Sequence, residues 1–280
     1  MKRWLIVVFM SLTLIGCGTK FIYDNLDWIA IEYVEDFVEL NDRQQNLISE
    51  SIQSAAVWHR SSEIPAYLSQ LDELLLLSPA TLNQQQFELQ EQKLREHTQR
   101  LLDHFFPAIV DIVAKMSDEQ VEQLMNTVRV RHIEFKQQYL DTTELELRIR
   151  YQKRIEETLT EWIGPLTVQQ QSLVELWAQD LRVTTPFWFE YQTQIRVELG
   201  KMFASRAQRD QLEVSLRNIL YHPQQYYSLP LEIRTKHNSE ISRRYIVEII
   251  NLMTAKQTET LREELNDWRD IAYQLTLIPK

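Results

Sequence analysis

Phe87–Val113, FELQEQKLREHTQRLLDHFFPAIVDIV, places Phe87, Leu94, Leu101, Phe105, Ile109 and Ile112 on one stripe, with Glu, Gln, Lys and Arg between them. Apolar residues three, four and seven apart share a face only on a 3.6-residue repeat, so the stretch predicts a long amphipathic helix. Pro107 lacks a backbone donor and its ring crowds the preceding turn, so a kink or break is expected there.

The same pattern extends in both directions. Upstream, Leu26, Ile29, Ala30, Tyr33 and Phe37 form a stripe, then Leu47, Ile48, Ile52, Ala55 and His59, then Tyr67, Leu68, Leu71, Leu74 and Leu75. Breaks are expected near Leu40, at Ser61–Pro65 and at Ser78-Pro79. Downstream come Val121 to Tyr139, Leu145 to Trp162 (closed by Gly164-Pro165), and Leu173 to Leu181 (closed by Thr184-Thr185-Pro186). A further helical region runs from about Phe187 to Leu220, with an interruption near Ser205. Tyr221–Pro230 reads as irregular, and a last helix runs from about Ser239 through Trp268. The chain has 4 glycines and no Asn-Gly pair, which leaves little for hairpin turns. The expected fold is all-α: a multi-helix bundle whose short connections make neighbours largely antiparallel.

Residues 1–24 read differently. Lys2 and Arg3 precede an apolar run, Trp4–Ile15, too short to span a bilayer, and Leu14-Ile15-Gly16 leads into Cys17, the single cysteine. This resembles the lipobox of bacterial lipoproteins. The resemblance implies cleavage after Gly16 and lipid on the Cys17 sulfur. With Gly18 in place of an aspartate, it also implies the periplasmic side of the outer membrane. The expected organisation is a signal peptide over 1–16, a lipidated cysteine and short tether over 17–24, and a helical periplasmic domain over 25–280. An extended Gly18–Asp24 reaches roughly 23 Å, which keeps the body near the bilayer.

The 30 Lys and Arg face 40 Asp and Glu, a net charge of −10; losing Lys2 and Arg3 with the signal peptide leaves 28 against 40, or −12. Such a surface repels nucleic acid and anionic headgroups, so no nucleic-acid partner is expected. With Cys17 lipidated, no thiol remains for a disulfide or thiolate site.

A short motif recurs: apolar, small polar, two variable residues, glutamine. Its copies are Leu40–Gln44, Leu82–Gln86, Met116–Gln120, Leu166–Gln170 and Met253–Gln257. The physical reading is a capping box, in which the Asn, Ser or Thr caps a helix and the Gln reaches back to the cap's own N–H. The last copy lies on a continuous stripe, Ile249, Ile250, Met253, Leu261 and Leu265, and is expected mid-helix. The motif also resembles the Leu-Thr-x-x-Gln motif of Spy-like periplasmic chaperones, which would imply binding of unfolded clients. Tyr23-Asp24-Asn25-Leu26-Asp27-Trp28, Glu35-Asp36-Phe37-Val38, Trp58-His59-Arg60 and Glu63-Ile64-Pro65 together resemble an uncharacterised family of proteobacterial lipoproteins, a domain of unknown function. That resemblance implies a helical lipoprotein and no activity.

For chemistry, the glycine count excludes phosphate loops and Gly-x-Ser-x-Gly elbows. No His-Glu-x-x-His or Glu-x-x-His pair occurs. His97 and His104, seven apart, are the one histidine pair placed to share a metal. Glu32, Glu35, Asp36 and Glu39 form an acidic face, read as solvated. Arg148, Arg150, Lys153 and Arg154 alternate with acids and read as a salt-bridged surface helix. Trp58, His59 and Arg60 read as a helix end with an Arg60–Glu63 pair, or as a ligand-binding corner. Phe187, Trp188, Phe189 and Tyr191 cannot all face one core, so one or two are expected exposed or in a groove, as a binding surface.

These observations predict a lipid-anchored envelope protein that works by binding a protein, either an envelope partner or an unfolded client. No catalytic residue, metal or cofactor is assigned. The alternatives are an envelope enzyme with a site around His59, His97 or His104, and a passive structural lipoprotein.

Overall fold

The structure, a computed structural model, describes the backbone of residues 17–139 and 141–277 and the side chains from residue 21 onward. The signal-peptide reading of residues 1–16 and the side chain of Cys17 lie outside the described residues. All regular structure among the described residues is helical. In order, α1 spans Cys17–Asp24, α2 Leu26–Glu35, α3 Asp42–Trp58, a π-helical turn His59–Glu63, and α4 Ile64–Leu76. After a 3-10 turn at Pro79–Thr81 come α5 Gln84–Ala114, α6 Asp118–Tyr139, α7 Glu144–Ile163 and α8 Val168–Asp180. Then come α9 Thr185–Ala204, α10 Arg209–Tyr221, a 3-10 turn Pro223–Tyr226, α11 Leu229–Asn251 and α12 Ala255–Thr276.

The spine is a hairpin. α3, the π turn and α4 form one unbroken helical run that lies antiparallel to α5. Trp58 stacks on His104, Glu63 meets Arg100, and Glu73 meets Lys93 in succession along it. At about 1.5 Å per residue the arm is roughly 50 Å long.

Each half of the hairpin carries its own core. Around α3 and the end of α5, Val38, Ile48, Phe106, Val110, Met202, Phe203, Leu212 and Leu216 pack together. On the side of α4 and the start of α5, Ile163, Val174, Trp177, Tyr245 and Ile249 form a second cluster, from α7, α8 and α11, with Leu261 of α12 against it. α12 lies along α4, joined by Arg269–Asp72, and α1–α2 lie along α3.

Several boundaries differ from the sequence reading. Gly18–Asp24 is helical in α1, because Tyr23 docks its hydroxyl on Ala56 O of α3 at 3.0 Å. Ser61–Pro65 does not end a helix: the Ile64 N–H reaches back five residues to His59 O. This wider turn accommodates Pro65, whose ring an α register would press against the Ser61 carbonyl. α5 runs through Pro107 without interruption, held by buried Phe106 and Val110 on either side. α11 starts at Leu229, not near Ser239, because Pro230 fits a first turn and Leu231 is fully buried. The break near Ser205 and the Gly164-Pro165 stop are present, the latter with Gly164 at φ 75°.

Met253–Gln257 is a helix boundary, not mid-helix. Thr254 is extended, its side chain accepts from the Gln257 N–H at 3.2 Å, and the Gln257 carboxamide returns to the Thr254 N–H at 3.0 Å. The apolar stripe runs across the break because Ile249, Met253 and Leu261 enter the same core.

All five copies of the motif are capping boxes. Four of them pair. Gln44 and Gln120 exchange amide hydrogen bonds of 3.0 and 2.7 Å, joining the starts of α3 and α6. Gln170 and Gln257 do the same at 3.2 and 2.8 Å, joining α8 and α12. Each Gln oxygen accepts from its own cap and from the partner amide, and each nitrogen donates to the partner. Spare donors reach Glu39 O, Ile249 O and Pro165 O. A glutamate would suffice for the box but has no donor for the partner, which explains the glutamine. The two pairs latch opposite ends of the hairpin.

Candidate functional site

Halfway along the hairpin, the π turn aims Glu63 inward, where it is 2% exposed. Arg100 of α5 donates to it through Nε at 2.5 Å and through a terminal nitrogen at 3.2 Å. His97 Nδ1 lies 3.3 Å from Glu63 and 2.6 Å from an Arg100 terminal nitrogen. A guanidinium only donates, so Nδ1 accepts, and the ring proton sits on Nε2, which donates to Gln70 Oε1 at 2.8 Å. Gln70 in turn donates to Gln90 O of α5 at 3.0 Å. Burial pushes the Glu63 carboxyl up, but the hydrogen bonds and the charge of Arg100 outweigh it and hold it below its ordinary value.

An aromatic chain continues outward. Tyr67 stands edge-on to His97 at 4.6 Å and to His59 at 5.4 Å. His59 Nδ1 meets the Tyr23 hydroxyl of α1 at 3.1 Å. Since that hydroxyl donates to Ala56 O, the His59 Nδ1–H donates to it. Arg60 lies over the Tyr23 ring at 5.5 Å, and Trp58 stacks on His104 at 4.3 Å. Burial holds His59 below the ordinary histidine value; the charge of Glu63 opposes this and Arg60 reinforces it. Burial likewise raises the Tyr23 and Tyr67 hydroxyls.

The structure thus strings His104, Trp58, His59, Tyr67 and His97 into one chain of ring contacts. It pairs Glu63 with Arg100, not Arg60, because the π turn rotates Glu63 toward α5. His97 and His104 do not share a ligand position: one bonds Arg100 and Gln70, the other stacks on Trp58. Among the described residues no group of three His, Cys, Asp or Glu side chains is placed to hold a metal. Arg100, Gln70, Tyr23 and Tyr67 were not legible as site residues; the available signal was a Glu two residues before a helix-internal proline, facing an Arg three residues after a His. What the cluster does mechanically is clear: it ties α1, both arms of the hairpin and the π turn together.

This geometry sets a pH dependence. The lowered folded values of His59 and of His132, whose ring is held down by burial and by Arg196, mean that the unfolded chain protonates first. Stability is therefore full above the ordinary value of 6.5 and falls as pH drops below it. Glu63 adds a second loss below its ordinary 4.5. The urea midpoint is expected to decline from pH 7.5 to 5.5, and His59→Phe to flatten part of that decline; an unchanged slope would remove His59 from the argument.

The α9 aromatics divide among neighbours, each partly buried. Phe189 packs on Phe135 of α6 at 5.6 Å, Trp188 and Tyr191 pack on Tyr227 at 5.3 and 5.1 Å, and Arg234 lies over Phe187 at 4.7 Å. They join elements and form no single exposed patch. The acidic residues also diverge: Glu35 accepts from Gln45, and Asp36 faces Arg131. Arg148 does more than pair on a surface helix, since it donates to Ala178 O, Gln179 O and Leu181 O and so caps the end of α8. Among the described residues, no helix is long and apolar enough to cross a membrane.

A family model described as "Family of unknown function (DUF6279)" matches residues 36–232. It covers the hairpin, the waist cluster apart from Tyr23, both cores in part and four of the five capping motifs. No curated protein and no solved structure matches.

Proposed function

The chain belongs to the DUF6279 family of unknown function, and from that premise we propose that it is a lipid-anchored scaffold that binds a protein partner at the periplasmic face of the outer membrane. The single observation that carries the anchor is Leu14-Ile15-Gly16-Cys17 after a short basic and apolar leader. The helical run that follows the cysteine is docked through Tyr23 onto the waist of the hairpin. An anchor fixed at the middle of a roughly 50 Å rod, not at the tip of a loose stalk, suits a body that displays a long helical surface beside the bilayer. Scaffold is favoured over chaperone by the fate of the motif glutamines: four of five are spent on each other and on backbone carbonyls, leaving them nothing to offer a client.

A second reading, an envelope enzyme, draws on the gathering of His59, His97, Glu63 and Arg100 at a π turn, a distortion often found at functional sites. Its test is an activity screen in which a signal disappears in His97→Ala while the fold is retained.

Cys17→Ser is expected to move the protein from the membrane to the soluble periplasmic fraction; retention in the membrane would overturn the anchor. In-cell photocrosslinking of the lipidated protein is expected to yield one stoichiometric envelope protein. Many unrelated partners, enriched under folding stress, would replace the scaffold with a chaperone, and an empty result would reject both.

A further inference from the structure

We propose that the outer face of α1–α2 is a lipid-surface contact, with Phe21 and Trp28 seated among the headgroups of a zwitterionic leaflet; this rests on the anchor reading above. The protein side of these helices is settled by contacts. Tyr23 bonds Ala56 O and His59, Asp27 accepts from Ser49 at 2.7 Å, and Ala30 and Val34 pack on the first core. At about 100° per residue, Phe21 falls opposite Tyr23 within α1, and Trp28 falls opposite Ala30 within α2, on the flank beyond Ile31. Phe21 is 65% and Trp28 52% exposed, each a large aromatic with most of its surface open.

Their position relative to Cys17 names the occupant. The helix α1 includes Cys17 at its first position, so Phe21 stands one turn from that backbone position, roughly 6 Å along the axis, and Trp28 roughly 16 Å. A lipid inserted at Cys17 holds the first turn of α1 at the bilayer surface, and the aromatic side of the helix then meets headgroups. Trp is the side chain that most favours this zone, with an apolar body and a polar N–H. Three acids, Glu32, Glu35 and Asp36, close α2 at the far end, and Asp27 is turned to Ser49, which leaves exposed Asp24 as the one acid between the two aromatics that faces water. Together with a mature charge of −12 they disfavour an anionic leaflet.

A second patch ends at the same level. Asn251, just before α12, bonds Leu82 O just before α5, and Arg269 meets Asp72, so α12 runs antiparallel to α4 and finishes beside the π turn. Tyr273 of α12 and Leu277 just after it are exposed at that level. Because α2 packs along α3, a contact through Phe21 and Trp28 would lay the rod along the membrane.

The test uses the purified lipidated full chain in phosphatidylcholine vesicles. Trp28→Cys and, separately, Phe21→Cys carry a fluorophore on the introduced thiol, with Val214→Cys on exposed α10 as the control. Lipids bearing a nitroxide at the headgroup are expected to quench the labels at positions 21 and 28 severalfold more than the control. Equal quenching at all three positions, in protein that floats with the vesicles, would overturn the surface contact and leave the anchor standing. Protein that does not float, or a Cys17→Ser chain that floats equally well, would overturn the anchor reading and this proposal with it.

Discussion

Glu63→Leu is expected to lower the unfolding free energy by about 3 kcal/mol, the low end for breaking a buried ion pair from one side. Leucine fills much of the glutamate volume, so the loss is electrostatic and not a cavity. Arg100 keeps its charge with no carboxylate, and His97 loses the neighbour that its ring and the guanidinium share. Arg100 is partly open to water, which places the cost at the low end. Adding Arg100→Met should restore more than half of the loss, since removing both charges is far cheaper than removing one. The surface pair Lys93–Glu73 is the contrast: Lys93→Met should cost under about 1 kcal/mol. Urea denaturation of the four proteins measures all of this. A neutral Glu63→Leu would mean that the carboxylate is not held in the hairpin waist.

Gln170→Ala is the second large effect, expected at about 3 kcal/mol. Gln170 is fully buried, and its loss opens the capping box of α8, strands the Gln257 amide and frees Ile249 O. Because Gln257 fails with it, the Gln170→Ala/Gln257→Ala double variant should cost less than the sum of the singles, with a coupling of about 1–2 kcal/mol. Gln86→Ala provides the control, as an exposed box without a partner amide, and should cost about 1 kcal/mol or less. If Gln170→Ala unfolds no more easily than Gln86→Ala, the glutamine pair carries no structure, and the resemblance of the motif to client-binding sequences gains weight.

Much of the fold was readable because helix signals are local. The stripe at Phe87–Ile112, the stop at Gly164-Pro165 and the caps at Asn41, Asn83, Ser117 and Thr167 each depend on residues within a turn or two of one another. The misplaced boundaries share one cause. At Pro65 a π turn, held by the Glu63–Arg100 pair, takes up the proline, at Pro107 buried Phe106 and Val110 hold the helix, and at Thr254 the break is concealed because both helices feed one core. The waist cluster was half legible. His59, His97, His104 and Glu63 were marked by type, but their convergence requires the π turn to rotate Glu63 toward an arginine 37 residues away.

By itself the sequence determined the helical class, the charge and the capping role of four copies of the glutamine motif, since each is a matter of composition or of neighbours in the chain. Only the tertiary structure decided that the motif glutamines pair across 76 and 87 residues, that two cores share one hairpin, and that Glu63 belongs to Arg100. Those choices depend on which helix ends and buried charges are brought within hydrogen-bond reach. Packing sets that distance, and no spacing along the chain encodes it.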